Sequence, residues 1–254
     1  MVPKFFRKFK SNSIGYFYIN YDSWLEQILK RYNDGFIPIC DGYSEFSAKR
    51  LFDDDHSTSI NHLHGQIYFS FSKKENARNK DGVFKKDKLE KGEVFWGTRK
   101  TTQSSDQIYF SPIITGLRKT DKISIPPYDA YRNHFYQSAL ENRNLLIIGY
   151  GFGDYYINSI INQFRDFHGD QGKIIYISHL SDDSYFMDFM EMPIPSNFKH
   201  SIYSTFREKG IDTRFLALRK QDFVDSLAHN SRVYFCGFKK AAHLYFEDIM
   251  KMFS

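Results

Sequence analysis

Cysteine is scarce. The 254-residue chain has two, Cys40 and Cys236, and no C-x-x-C pair. Two thiols cannot build a four-thiolate zinc site, and the expected compartment is a reducing cytoplasm rather than one that builds disulfide frameworks. Long apolar runs are missing too. None approaches the roughly 20 residues that a membrane-spanning helix requires. The opening MVPKFFRKFKSN is basic and aromatic with no apolar stretch behind it, so it lacks the form of a secretory signal. There is no strong charge of either sign: 35 Lys and Arg against 30 Asp and Glu leave +5. The clusters KFFRKFK at 4–10 and KKDKLEK at 85–91 read as solvated surface. No basic-aromatic stripe of the kind that holds bases is visible, so a nucleic-acid partner is not expected.

What is present describes a folded protein. Hydrophobic residues make up 41% of the chain, enough for a substantial core. Aromatics reach 18%, alongside frequent Lys, Asn and Ile, a bias that an AT-rich genome accounts for. The length suits one large domain, 1–254. Tyr16–Ile19 reads as a strand and is followed by a helical pattern of Trp24, Leu25, Ile28 and Leu29. A further strand, broken by Gly65, is expected within INHLHGQIYFSF at 60–71, and a polar excursion at 72–107. DAYRNHFYQSALENR predicts a helix that leads into a central strand at Leu145–Ile148. After it, Ile157, Ile160, Ile161 and Phe164 recur at helical spacing. GKIIYISHL predicts a strand, NFKHSIYSTFREKG a helix, DTRFLAL an edge strand and QDFVDSLAHN a short helix. Residues 239–253 predict a closing amphipathic helix, with Ala242, Tyr245, Phe246, Ile249 and Phe253 on one side as core or as an oligomer contact. Strands alternating with helices predict a doubly wound, mainly parallel α/β sheet of the Rossmann-like kind, with helices on both faces.

Ligands of such sheets bind at the carboxyl ends of the strands. Three polar segments fall there. In YINYD, Asn20 and Asp22 follow an apolar strand; they could face a ligand or cap a turn. In NHLHG, His62 and His64 are expected on one face of a strand, where an imidazole could act as a base or be a satisfied structural residue. A metal is not expected, because no third ligand is obvious. In IGYGFGD, the glycines are spaced G-x-G-x-G, not G-x-G-x-x-G. They serve either a close backbone approach to a ligand or a tight turn alone. Asp154 is placed to cap the helix that follows.

Taken in order, these segments resemble the SIR2-like (sirtuin-fold) domains, in particular the prokaryotic branch found in antiphage defence proteins. The residues that carry the resemblance are Asn20, Tyr21, Asp22, Leu25 and Glu26; Leu63, His64 and Gly65; Thr115 and Gly116; and Ile148 to Asp154 with Ile157 and Asn158. The resemblance implies cleavage of the nicotinamide–ribose bond of NAD, with NAD as substrate and ADP-ribose as product. It implies that Asn20 positions the attacking water or the ribose, that Asp22 orients the nicotinamide end, and that His64 is the general base. Thr115, Gly116, Gly149, Tyr150, Gly151 and Asp154 would serve the nucleotide, with the glycine bend on the adenosine side. Ser178 and His179 would reach the adenine ribose. Deacylating members usually carry a four-cysteine zinc module between the His strand and the glycine strand. Residues 66–144 have no cysteine, so no zinc is expected and NAD hydrolysis is favoured over deacylation.

The chain departs from the family at one place. Members carry a G-A-G-x-S phosphate loop on a strand well before the Asn–Asp segment. Here nineteen residues precede Asn20, and Gly15 is their sole glycine. That strand is expected to be missing from the sheet, or to come from a second copy or another chain. A missed upstream start, a split or decayed gene, and a remodelled binding module all fit. The expectation is that 1–254 alone hydrolyses NAD poorly, the alternative being a non-catalytic module that binds NAD or ADP-ribose.

Overall fold

Parallel strand pairs organise both halves of the computed structural model, which describes residues 5, 14–29, 31–39, 42–53, 58–70, 83–87, 98–101, 107–110, 112–114, 123–178, 222–226 and 230–254. These fall into two compact units. One unit is Lys10–Phe135; the other is Tyr136–Ser254 together with Met1–Phe9.

In the Lys10–Phe135 unit, β1 (Ile14–Tyr18) runs parallel to β4 (Thr58–His62), in register from Ile14 opposite Thr58 to Tyr18 opposite His62. A short helix, α1 (Trp24–Ile28), follows β1 and buries Leu25 and Ile28. Asp22 opens it: its Oδ1 accepts the Trp24 N–H at 3.0 Å. A second sheet is antiparallel, in the order β2 (Phe36–Pro38), β3 (Tyr43–Phe46), β6 (Phe84–Lys86), β5 (Phe69–Ser70). Beside it lies α2 (Ala48–Phe52), capped by Ser47, whose side chain accepts the Arg50 N–H. An antiparallel pair, β7 (Thr98–Thr101) and β8 (Gln107–Phe110), completes the strands described in this unit. The core is aromatic, with Phe36, Phe69, Phe84, Tyr128 and Tyr131 buried. Both buried tyrosines find acceptors: Tyr128 donates to the Pro112 carbonyl at 2.6 Å and Tyr131 to the Asp34 carbonyl at 2.7 Å, as buried hydroxyls must. Helix α3 (Tyr128–Glu141) contains the boundary between the units.

The other unit has one four-stranded sheet in the order β11 (Phe223–Ser226), β12 (Ser231–Tyr234), β10 (Lys173–Ile177), β9 (Asn144–Ile148). Strands β9, β10 and β12 are parallel, and β11 is antiparallel to β12. Helix α4 (Tyr155–His168) joins β9 to β10 and buries Ile157, Ile160, Ile161 and Phe164, the face that its spacing predicts. Arg165, near its end, donates to the carbonyls of Gly169 and Gly172 and to Ser231 Oγ, so it caps the helix terminus from within. Two helices close the chain, α5 (Gly237–Leu244) and α6 (Phe246–Phe253).

Several expectations change here. His64 does not share a strand face with His62, because β4 ends at His62 and the chain turns at 63–64. Among the described residues β9 lies at the edge of its sheet; the strand buried on both faces is β10, with Ile174–Ile177 inside. Residues 223–226 form a strand and not a helix, because pairing with β12 overrides weak local propensity. The C-terminal helix is two helices, broken at Tyr245, whose ring packs on Phe223 and Tyr234. Ala242 and Ile249 are core. The segments 197–210 and 212–218, and most of 72–107, lie outside the described residues.

Candidate functional site

The Asn20–Asp22 loop and the His64 turn leave the carboxyl ends of adjacent parallel strands. Backbone bonds tie them together. Leu63 N–H donates to the Tyr18 carbonyl at 2.8 Å, and Ile67 N–H to the Tyr21 carbonyl at 3.1 Å. A third segment joins them: Ile114 N–H donates to the His64 carbonyl at 2.8 Å, while Tyr21 Oη donates to the Ile114 carbonyl at 3.2 Å. The structure thus brings Asn20, Asp22 and His64 onto neighbouring loops. Asn20 and Asp22 are exposed and His64 is half-buried.

The glycine after His64 has a steric reason. Gly65 has φ +90°, and a Cβ there would lie 2.0 Å from the Pro112 carbonyl oxygen. No other residue fits. The L-H-G turn is therefore held against the strand ends on one side and the 112–114 segment on the other.

Beneath the turn is a buried polar cluster whose members the sequence leaves without a common role. Glu26 Oε1 lies 2.8 Å from His62 Nε2 and also accepts from Gln66 Nε2. His62 is 1% exposed and Gln66 fully buried. The His62 ring sits between Tyr18 and Phe69. Burial pushes the Glu26 pKa up, but the His62 hydrogen bond and charge, its own backbone N–H and the Lys85 charge outweigh this and leave it below its ordinary value. Glu26 Oε2, His62 Nδ1 and Gln66 Oε1 are buried with no hydrogen-bond partner among the described residues. Each such atom costs about 1–3 kcal/mol. Burial and the two nearby carboxylates of Asp22 and Glu26 raise the Tyr18 phenol above its ordinary range.

In the other unit the G-Y-G-F-G bend is pinned from below. Asp154 caps α4, its Oδ1 accepting Tyr156 N–H at 3.0 Å and Ile157 N–H at 3.2 Å. The Tyr150 side chain is buried and points inward; its hydroxyl lies 2.8 Å from Asn158 Oδ1 and 2.9 Å from the Asp154 carbonyl. Asn158 Nδ2 donates to the Phe152 carbonyl at 2.8 Å, and Tyr176 Oη to the Tyr150 carbonyl at 2.8 Å. These bonds hold Phe152 buried at φ +54°. Gly149, Gly151 and Gly153 are exposed on the outer side, and a Cβ on any of them would meet nothing within 4 Å. Gly149 needs its glycine for φ +62°; no described neighbour requires glycine at 151 or 153. Gly149 N–H donates to the Ile177 carbonyl at 2.9 Å, and Ser178, next along, is half-buried with its N–H on the Tyr234 carbonyl. The bend and Ser178 thus share the carboxyl edge of β9 and β10. The carboxylate of Asp154 already occupies the first-turn donors of α4, which leaves that terminus poorly suited to a phosphate.

Thr115, Gly116 and His179 lie outside the described residues. Glu26, His62 and Gln66 support the His64 turn in one unit, and Asn158 supports the glycine bend in the other; Glu26 and Asn158 stand within the motif residues, but no spacing rule marks them as partners of a histidine or a carbonyl. Among the described residues no group of three or more His, Cys, Asp or Glu is arranged to hold a metal, and no helix is long and apolar enough to cross a membrane.

Parallel strands with polar loops at their carboxyl ends, in a mixed α/β framework, define a Rossmann-like fold. The family comparison is more specific: the SIR2-like domain model matches residues 15–193, and the chain belongs to the SIR2-like domain family. No curated protein matches it.

Proposed function

We propose that this protein cleaves the nicotinamide–ribose bond of NAD, transferring the ribosyl carbon to water. Membership of the SIR2-like family, which points to an NAD-related role, supports the reading. The observation that carries it furthest is the meeting of the Asn20–Asp22 loop and the His64 turn at the ends of paired parallel strands. In the reaction the C1′–N bond breaks and its electron pair leaves with nicotinamide. The ribose passes through an oxocarbenium-like state. A water held by Asn20 forms the new C1′–O bond, and its proton passes to His64. Asp22 orients the nicotinamide end. An imidazole suits this step because its unperturbed pKa lies near neutrality. Gly149 and Gly151 offer backbone without side chains to the nucleotide, and Tyr150 contributes only through its main chain. By the family resemblance Ser178, Thr115, Gly116 and His179 are further candidates for nucleotide contact, and Asp154, whose carboxylate caps α4, serves by holding the bend. A cytoplasmic role in antiphage defence, in which NAD is depleted, fits this chemistry.

A second reading has a specific observation behind it. The three orphaned polar atoms around Glu26 and the rigid bend are features that a binding module without turnover would also carry. Calorimetry with NAD and ADP-ribose, run beside a nicotinamide-release assay, separates the two. Release supports the hydrolase; binding without release supports the module; neither defeats both.

A further inference from the structure

We propose that Glu26 is a positioning residue for His64. The inference rests on the reading of His64 as the base, and it follows from where the buried cluster attaches. His62 and Gln66 stand two residues before and two residues after His64. Both bind the same carboxylate oxygen of Glu26. Glu26 belongs to α1, which begins directly after the Asn20–Asp22 loop. One buried carboxylate therefore clamps both ends of the turn that presents the imidazole, and fixes it to the helix that follows the other two candidate residues.

A cluster kept for stability alone would be better satisfied. Three of its polar atoms are buried with no partner among the described residues, and a half-satisfied buried network is inferior to apolar packing. Its geometry supplies what packing does not: direction. Carboxylate, imidazole and amide bonds fix angles as well as distances, whereas the neighbouring contacts of His62 with Tyr18 and Phe69 are ring contacts that tolerate sliding. The backbone bonds at Leu63, Gly65 and Ile67 hold the turn's path. The Glu26 clamp sets its tilt against α1.

The test uses the full chain with Glu26→Gln, which keeps the side-chain shape, and Gln66→Met, which removes one arm of the clamp. The His64 imidazole is followed by nitrogen–proton correlation NMR, its signals identified by their loss in His64→Ala. In either variant, with folding verified by circular dichroism, the His64 signals split or shift away from their wild-type positions. Those of the exposed His243 stay in place. Where the wild type releases nicotinamide, kcat falls about 10- to 100-fold with KM within about threefold. His64 signals and kcat equal to wild type in both folded variants overturn the proposal. So does a loss of activity matched by an equal loss of folded protein. A wild type that releases no nicotinamide defeats the hydrolase reading, and the NMR result then decides this one alone.

Discussion

Asn158→Ala tests whether the glycine bend is held from below. The side chain makes two buried bonds, donating to the Phe152 carbonyl and accepting from the Tyr150 hydroxyl, each at 2.8 Å. Tyr150 keeps an alternative acceptor in the Asp154 carbonyl at 2.9 Å. The other bond is accepted by the carbonyl of Phe152, a fully buried residue. The loss is therefore mainly the buried hydrogen bond from Asn158 to that carbonyl, about 1–3 kcal/mol. Phe152 also holds φ +54°, a conformation worth about 1–2 kcal/mol of strain for a non-glycine residue. Without the Asn158 bond that strain is free to relax by moving the bend. A net cost of about 2 kcal/mol lowers the melting temperature of a chain this size by about 4–8 °C. Thermal unfolding followed by circular dichroism reads it. Asn158→Asp is the informative companion, because a carboxylate still accepts from Tyr150 but cannot donate to Phe152; it should melt no higher than Asn158→Ala. Both variants melting within about 1 °C of wild type would refute the argument, since the bend would then hold itself.

Other outcomes follow from the same geometry. Gly65→Ala drives a methyl into the Pro112 carbonyl at a positive φ and should cost about 3 kcal/mol or more, read as a low melting temperature or failure to fold. Gly151→Ala meets nothing, so its melting should match wild type, while NAD affinity measured by calorimetry drops about tenfold as the methyl fills space the nucleotide uses; unchanged affinity removes the bend from the binding reading. Glu26 has a folded pKa below its ordinary 4.5. Its ionised form therefore adds stability that is fully present above the unfolded value and is lost as pH falls through the folded one. Melting curves of wild type should decline in acid below that value, and Glu26→Gln should flatten this limb; an identical acid limb in the variant contradicts the assignment.

The parts of this fold legible in the sequence are those governed by local pattern. The i, i+3, i+4, i+7 spacing of Ile157 to Phe164 gives a buried face of α4, and Asp154 caps that helix, because both depend on residues within one or two turns. The apolar runs at 145–148 and 174–177 are strands for the same reason. What the sequence concealed depends on distant partners. The F-V-D-S segment is a strand because β12 lies beside it. The Tyr43–Phe46 and Phe84–Lys86 pairing joins short segments with little pattern of their own. Which of Leu145–Ile148 and Lys173–Ile177 is buried on both faces follows from sheet order, to which an apolar run is blind.

The candidate site divides in the same way. Asn20, Asp22 and His64 could be named from their places after strands and from the family resemblance. Their supports could not: Glu26 meets His62 across 36 positions and Gln66 across 40. Tyr150 looks ligand-facing in the sequence because it stands between two glycines. Its hydroxyl turns inward because Asn158 and Asp154 offer it partners there.

The most direct trial of the account is nicotinamide release from NAD by purified wild type and by folded His64→Ala, followed by chromatography under identical conditions. The account predicts release by the wild type in step with NAD loss, and a rate at least about 100-fold lower in His64→Ala. Equal rates in the two proteins, or no release by the wild type, would contradict it.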